Sequence, residues 1–500
     1  MIGLGVDAGS TNLKVALVEV NVGREPSVRT LARDSCPTPA AAETLVADCL
    51  RLIETVLGRA GRLPDCVGLA SMAESGVPLD AADRPVGDLV RWDGRHGAED
   101  AAALARTHGA GALFAATGVR PQPKTPLAVW AWLRRAEPER WRAMRRWAGT
   151  ADLLALALTG QLVTDHTLAG RTMAYRLPAP GAALATGFDA DLVAAAGLRP
   201  AQLPAVAAPG AVAGRVLGSA PGCLRPGTPV VVAGHDHAVG AWAAGVREPG
   251  QVADSLGTAE AVIRVVGRRP DPEPVRQAGM SLVRTVTGDH EAVVAGSASA
   301  GAMLDWWLTH LAGPAAGPDL PVAAVFAEAG RRGGPNGLFV LPYASGRQTP
   351  EPDPQARARL VGDARGRDLA DLARALLDGL SLHARWMISE QARVVGADPA
   401  TGEVTVLGAA TPERSGWLST KAAVGPAPLR AVLEAEPVAA GAALLAVARI
   451  SGMGSAAPRL ASRPCPVPRR AAYDTAYAEF VRAARKRIPA DATGVLFSHT

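Results

Sequence analysis

The chain has 500 residues, too long for one hydrophobic core, so two or more domains are expected. Hydrophobic residues make up 48% and charged residues 20%, which excludes a disordered polymer, and a net charge of +5 spread without a basic run gives no footprint for a nucleic-acid partner. Five scattered cysteines form no CxxC pair, and Asp7, Asn12 and Lys14 interrupt the apolar amino terminus before it could span a membrane, so the expectation is a cytoplasmic protein with no membrane segment.

In chain order, Ile2 to Val20 reads as two apolar strands joined at Gly9-Ser10-Thr11-Asn12, the first ending in the carboxylate of Asp7. The letters Gly3-x-Gly5-x-x-Ala8 imitate a dinucleotide fingerprint, but no full strand precedes Gly3 and a second strand, not a helix, follows Ala8. Leu45 to Arg59 has helical spacing, Cys66 to Ser71 is a short strand, and Leu127 to Arg135 is again helical. The basic stretch Arg134 to Arg146 is interleaved with acidic residues, as on a solvated helix face.

Thr228 to Ala233 is a buried apolar strand running into Gly234-His235-Asp236-His237, which is expected to be a loop. Ligands of open α/β sheets gather at such carboxyl ends, so Asp236 is placed to accept a proton from an attacking hydroxyl. His235-x-His237 also spells a two-imidazole zinc motif, although no third ligand can be named.

Gln251 to Val266 then repeats the opening hairpin, with Ser255-Leu256-Gly257-Thr258 at its turn, 248 positions after Gly9. Two related domains follow, with the boundary near Gly245 to Gly250, giving residues 1–246 and 247–500. Glycine amides in such turns converge on anionic oxygen, and a Ser or Thr hydroxyl adds a donor, so two facing turns make a phosphate clamp. No G-x-x-x-x-G-K-[ST] is present. Further on, Ala302 to His310 and Asp368 to Val394 read as helices and Val404 to Leu407 as a strand stopping at Gly408. Gly313 to Gly337 and Gly425 to Pro437 read as surface connections. Strands alternating with helices argue for α/β domains.

Asp7 to Lys14, Trp92-Asp93-Gly94-Arg95, Asp152-Leu153-Leu154, Leu158-Thr159-Gly160, Gly234 to His237, Ser255 to Thr258, Gly301 and Gly408 follow one another in an order that resembles the FGGY carbohydrate kinase family. That resemblance implies a two-domain actin-like ATPase (ribonuclease H-like) fold with a cleft between the domains. It implies ATP-dependent phosphorylation of a small sugar or polyol, with Mg²⁺ as the metal and a homodimer as a common arrangement.

Carried onto matching positions, Asp236 is the base, and Asp7 with Asp236 holds Mg²⁺ through water. Gly9, Ser10, Thr11, Lys14, Gly257 and Thr258 contact phosphate, while Gly301, Asp305, Gly408 and Ala409 face the nucleoside. Ala73, Glu74, Trp92, Asp93, Arg95, His235 and Asp236 face the acceptor. The chain departs from the family pattern at Arg91, where a tryptophan is usual, and at Ala409, where a second glycine is usual. Two other readings stand beside this one: a non-catalytic or ATPase-only actin-like nucleotide-binding protein, and a metal hydrolase built on His235-Asp236-His237.

Overall fold

The computed structural model describes residues 1–22, 26–94, 96–218, 224–257, 259–298, 301–313, 320–408 and 415–486. Arg95, Thr258 and Ala409, named above as site residues, lie outside the described residues.

The amino-terminal half is built on a six-stranded sheet. It contains β1 (Ile2–Ala8), β2 (Asn12–Asn21), β3 (Ser27–Pro37), then, after helix α1 (Ala42–Ala60), β4 (Cys66–Ser71), the short β5 (Gly214–Arg215) and β6 (Pro229–His235), which leads into helix α2 (Asp236–Ala243). The spatial order is β3-β2-β1-β4-β6-β5. Strands β1 to β3 form an antiparallel meander, and β4 and β6 add in parallel.

The carboxyl-terminal half repeats this plan. It contains β7 (Val252–Leu256), β8 (Glu260–Val266), β9 (Ser281–Arg284), β10 (Glu291–Ser297), helix α3 (Leu369–Val395), β11 (Val404–Leu407), helix α4 (Ser415–Val424), β12 (Leu429–Val432), helix α5 (Pro437–Ser451) and β13 (Ser462–Pro464). The order β10-β8-β7-β11-β12 matches β3-β2-β1-β4-β6 strand for strand, with the same antiparallel and parallel pairings. The hairpin repeat in the sequence thus marks a repeat of whole sheets.

Helices α2 and α5 occupy equivalent places, each following the last parallel strand of its repeat, and together they fill the space between the two sheets. One apolar core joins Val18 and Val231 of the first sheet and Ile263 and Leu407 of the second through Val239 and Ala243 of α2 and Ala439, Ala443 and Val447 of α5. Small side chains make this possible. A Cβ on Gly3 would lie 2.7 Å from the Ala443 carbonyl oxygen, one on Gly5 1.8 Å from that of Ala439, and one on Gly68 2.0 Å from that of Ala442. The Gly3-x-Gly5 pattern therefore serves helix-on-sheet approach. The alternate residues Leu4, Val6 and Ala8 face the other way, into the core under α1.

Three expectations need correction. Gly234-His235-Asp236-His237 is not a loop: the strand runs to His235 and the helix begins at Asp236. Gly313 to Gly337 contains a helix over Val322–Arg331, and Gly425 to Pro437 contains β12; apolar residues between the glycines and prolines supply the buried face in each case. Among the described residues no helix is long and apolar enough to cross a membrane.

Candidate active site

β1 runs toward the amino-terminal turn of α5, since Gly3 faces Ala443 and Gly5 faces Ala439. Asp7, next on that face, is therefore delivered to the start of α5, which Glu436 immediately precedes. Asp7 is only 5% exposed, and its Oδ1 has no hydrogen-bond donor among the described residues. Burial, reinforced by the charges of Asp236 and Glu436 and opposed by Lys14, pushes its pKa up to about 7. Lys14, one strand over and in register with Asp7, places Nζ 2.7 Å from Glu436 Oε2.

Asp236 is the first residue of α2, where the positive end of the helix dipole favours a carboxylate. Its position depends on a register shift between β6 and β4 at Val232 to Gly234. Gly234 adopts φ +128, and a Cβ there would fall 2.5 Å from Thr167 Oγ1 and 2.8 Å from Asp165 Oδ1. Only glycine fits that close approach. The next residue is then locked: the His235 backbone N–H donates to Thr167 Oγ1 at 2.8 Å.

Asp236 Oδ1 accepts from the His237 backbone N–H at 2.6 Å and lies 3.2 Å from His235 Nε2. Burial pushes the His235 pKa down to about 4, so its imidazole is neutral at physiological pH. His237 Nδ1 sits 3.2 Å from Ser255 Oγ of β7, a direct link between the two halves beside the second turn.

Both glycine turns open onto one cleft of about 890 Å³. Of the residues singled out in the sequence, Asp7, Gly9, Ser10, Thr11, Lys14, Ala73, Glu74, Trp92, His235, Asp236, Gly257, Gly301, Asp305 and Gly408 line it. Asp93 does not: it is exposed and paired with Arg91, whose Nη2 lies 3.0 Å from Asp93 Oδ2 and donates to the Ser10 carbonyl at 2.8 Å. Arg91 therefore ties the Trp92-Asp93-Gly94 segment to the turn at Gly9 to Asn12.

The structure adds Lys124, Arg171, Glu436 and Gln348 to the cleft, where Ser255 of the second turn also lies. Glu74, buried with φ 68, is held by Lys124 Nζ at 2.8 Å and Arg171 Nη2 at 2.6 Å. Although burial opposes its ionisation, these two cations hold the Glu74 carboxyl down to about 2. Lys124 also stands over the Trp92 ring, 5.3 Å from its centroid.

Ligand atoms of His235, Asp236 and His237 lie within 4.8 Å of one another, close enough for a divalent ion. Asp7 feels the charges of Asp236 and Glu436 and keeps an orphaned buried oxygen, a hard donor of the kind Mg²⁺ takes.

Duplicated α/β sheets, two helices packed between them and a cleft entered by both hairpin turns define the two-domain actin-like architecture. The family model for the amino-terminal domain of FGGY carbohydrate kinases matches residues 2–243, and that for the carboxyl-terminal domain matches residues 252–450. The chain belongs to the FGGY family of carbohydrate kinases. A xylulose kinase of Streptomyces rubiginosus is 31% identical over 277 residues, covering 54% of this chain and 55% of the relative. One of Escherichia coli strain K12 is 27% identical over 398 residues, covering 75% and 76%. The chain spans about half the length of the first curated relatives it matches. The solved structure of a xylulose kinase from Rhodospirillum rubrum superposes with a TM-score of 0.78 at 24% identity, covering 97% of this chain and 98% of that one, which shows the shared fold.

Proposed function

We propose that this protein transfers the γ-phosphoryl group of ATP to a hydroxyl of a small sugar or polyol, with Asp236 as the general base. One observation carries the reading: Asp236 opens a helix on the wall of the cleft into which both glycine turns project. In this reading residues 1–246 supply the acceptor site, the base and the first phosphate turn, and residues 247–500 supply the second turn and the nucleoside site.

Gly9, Ser10 and Thr11 from one side and Ser255 and Gly257 from the other hold the phosphates, with Lys14 adding charge. Asp7 and Asp236 would hold, through water, an Mg²⁺ ion that when bound neutralises charge on the phosphates. Asp236, oriented by the His237 amide and by His235, accepts the acceptor's proton as its oxygen attacks. The neutral His235 leaves the Asp236 charge uncancelled, which keeps the base competent. Glu74, Lys124 and Trp92 receive the acceptor's hydroxyls and C–H face. An ATPase-only machine needs no such acceptor wall.

The test is an ADP-release screen of the full chain with ATP and Mg²⁺ across pentuloses, pentoses, polyols and sugar acids, with the phosphorylated position assigned by phosphorus NMR. ADP release that depends on one acceptor class, with a phosphate ester as product, is expected. ADP release that is indifferent to every acceptor contradicts the kinase reading and favours the ATPase.

A further inference from the structure

At the junction of β6 and α2 the Asp236 carboxylate is flanked by two imidazoles. Asp236 Oδ1 lies 3.2 Å from His235 Nε2 and 3.9 Å from His237 Nε2, and the two rings meet edge to face with centroids 5.3 Å apart. Among the described residues this is the one group of three His, Cys, Asp or Glu side chains whose donor atoms all fall within 4.8 Å of one another. Bonds of about 2.0–2.2 Å around a tetrahedral zinc ion put neighbouring donors roughly 3.3–3.5 Å apart. The His235 pair already stands at that spacing, and the His237 pair is within a small side-chain adjustment of it. The His235, Asp236 and His237 side chains are 16%, 17% and 21% exposed and line the open cleft, so an ion in solution reaches them.

Both imidazoles are held from behind. The His235 backbone is pinned by its N–H bond to Thr167 Oγ1, and His237 Nδ1 lies 3.2 Å from Ser255 Oγ of β7. With the ring hydrogen on Nδ1 given to that hydroxyl, His237 Nε2 keeps its lone pair for the Asp236 side, the outer hydrogen bond that metal-binding imidazoles make. Two imidazoles with one carboxylate are a borderline donor set that favours zinc, whereas magnesium takes oxygen and keeps its waters.

We propose that His235, Asp236 and His237 form a binding site for a zinc-class divalent ion, and that an ion there silences the phosphoryl transfer proposed above. The binding rests on this geometry alone; the silencing rests on the kinase reading. Coordination engages the same Asp236 oxygen lone pairs that would take up the acceptor's proton, and the ion fills the space in front of them. No bond of ATP or of the acceptor is made or broken.

The experiment titrates metal-free full chain calorimetrically with Zn²⁺ alone. One ion per chain is expected, with affinity lowered about 10- to 100-fold in Ser255→Ala and further in His237→Asn. In the ADP-release assay with Mg²⁺ and ATP in excess, zinc should stop turnover as the site fills, and a zinc-selective chelator should restore it. His237→Asn, measured against its own zinc-free rate, should escape that inhibition. Should His237→Asn fail to fold, the Ser255→Ala titration decides. No binding, or an affinity unchanged in both variants, overturns the site. Zinc bound with turnover undiminished or raised, or inhibition that persists in His237→Asn, overturns the silencing. No transfer to any acceptor, with or without zinc, removes the kinase reading and the silencing with it, while the titration still decides the site.

Discussion

Asp152 is buried at the start of the Thr150–Thr159 helix, where its Oδ2 accepts from the Gly149 backbone N–H at 2.8 Å. Burial outweighs its hydrogen bonds from Thr164 and Gly149 and pushes its pKa from 3.8 up to about 7, helped by the nearby Asp165 charge. The folded chain therefore holds this proton more tightly than the unfolded chain. Stability from this group is complete below about pH 4, falls as pH rises toward 7, and is flat above. Asparagine keeps the acceptor without the charge. Asp152→Asn should gain stability relative to wild type on going from pH 5 to pH 8, by on the order of 1–3 kcal/mol in urea unfolding. A difference that does not change with pH would mean Asp152 is ionised throughout. At this scale sequence reading went furthest where chemistry is local: Asp7, Asp236 and the two turn glycines could be named because each sits at the end of an apolar run. Arg171 could not, because the Glu74 that defines it lies 97 positions away. Asp93 was misplaced because its own neighbour, Arg91, takes up its charge.

At the scale of elements, the second hairpin is fastened by charge. Lys421 of α4 reaches Asp254 of β7 with Nζ 2.5 Å from Oδ2, and also bonds Glu260 of β8, all three side chains being buried. Burial works against the Lys421 charge, but the two carboxylates overcome it and raise its pKa, while burial raises that of Glu260 to about 8. Removing the lysine would leave two buried carboxylates facing each other. Lys421→Met is expected to cost about 3–5 kcal/mol of stability. A loss below about 1 kcal/mol in the same urea titration would show that the cluster does not hold the hairpin. Strands such as β4 and β11 were legible because an unbroken apolar run ends in a polar or glycine signal. The helix over Val322–Arg331 and the strand β12 were hidden by flanking Gly and Pro, since their apolar faces are recognisable only once α3 and β11 stand against them. The register shift that carries β6 through Gly234 into His235 depends on Asp165 and Thr167, and no spacing within β6 announces it.

The whole molecule is two copies of one sheet plan that share a helical layer. Because α5, from the second half, packs on β1 and β4 of the first, and α2 packs against α5 at Gly441, the carboxylates Asp7, Asp236 and Glu436 all arrive at one end of that layer. The repeat of hairpins made this duplication readable from the sequence. The packing of α5 on the first sheet was not readable, since it rests on Gly3, Gly5 and Gly68 meeting alanines more than half a chain away. That arrangement gives each half one glycine turn and places Asp236 where the two meet. The most direct measurement is steady-state phosphoryl transfer by Asp236→Asn beside wild type, with ATP affinity determined separately by calorimetry. The account predicts a fall in kcat of roughly 10²- to 10⁴-fold with ATP affinity changed only a few-fold. Turnover close to wild type would contradict it.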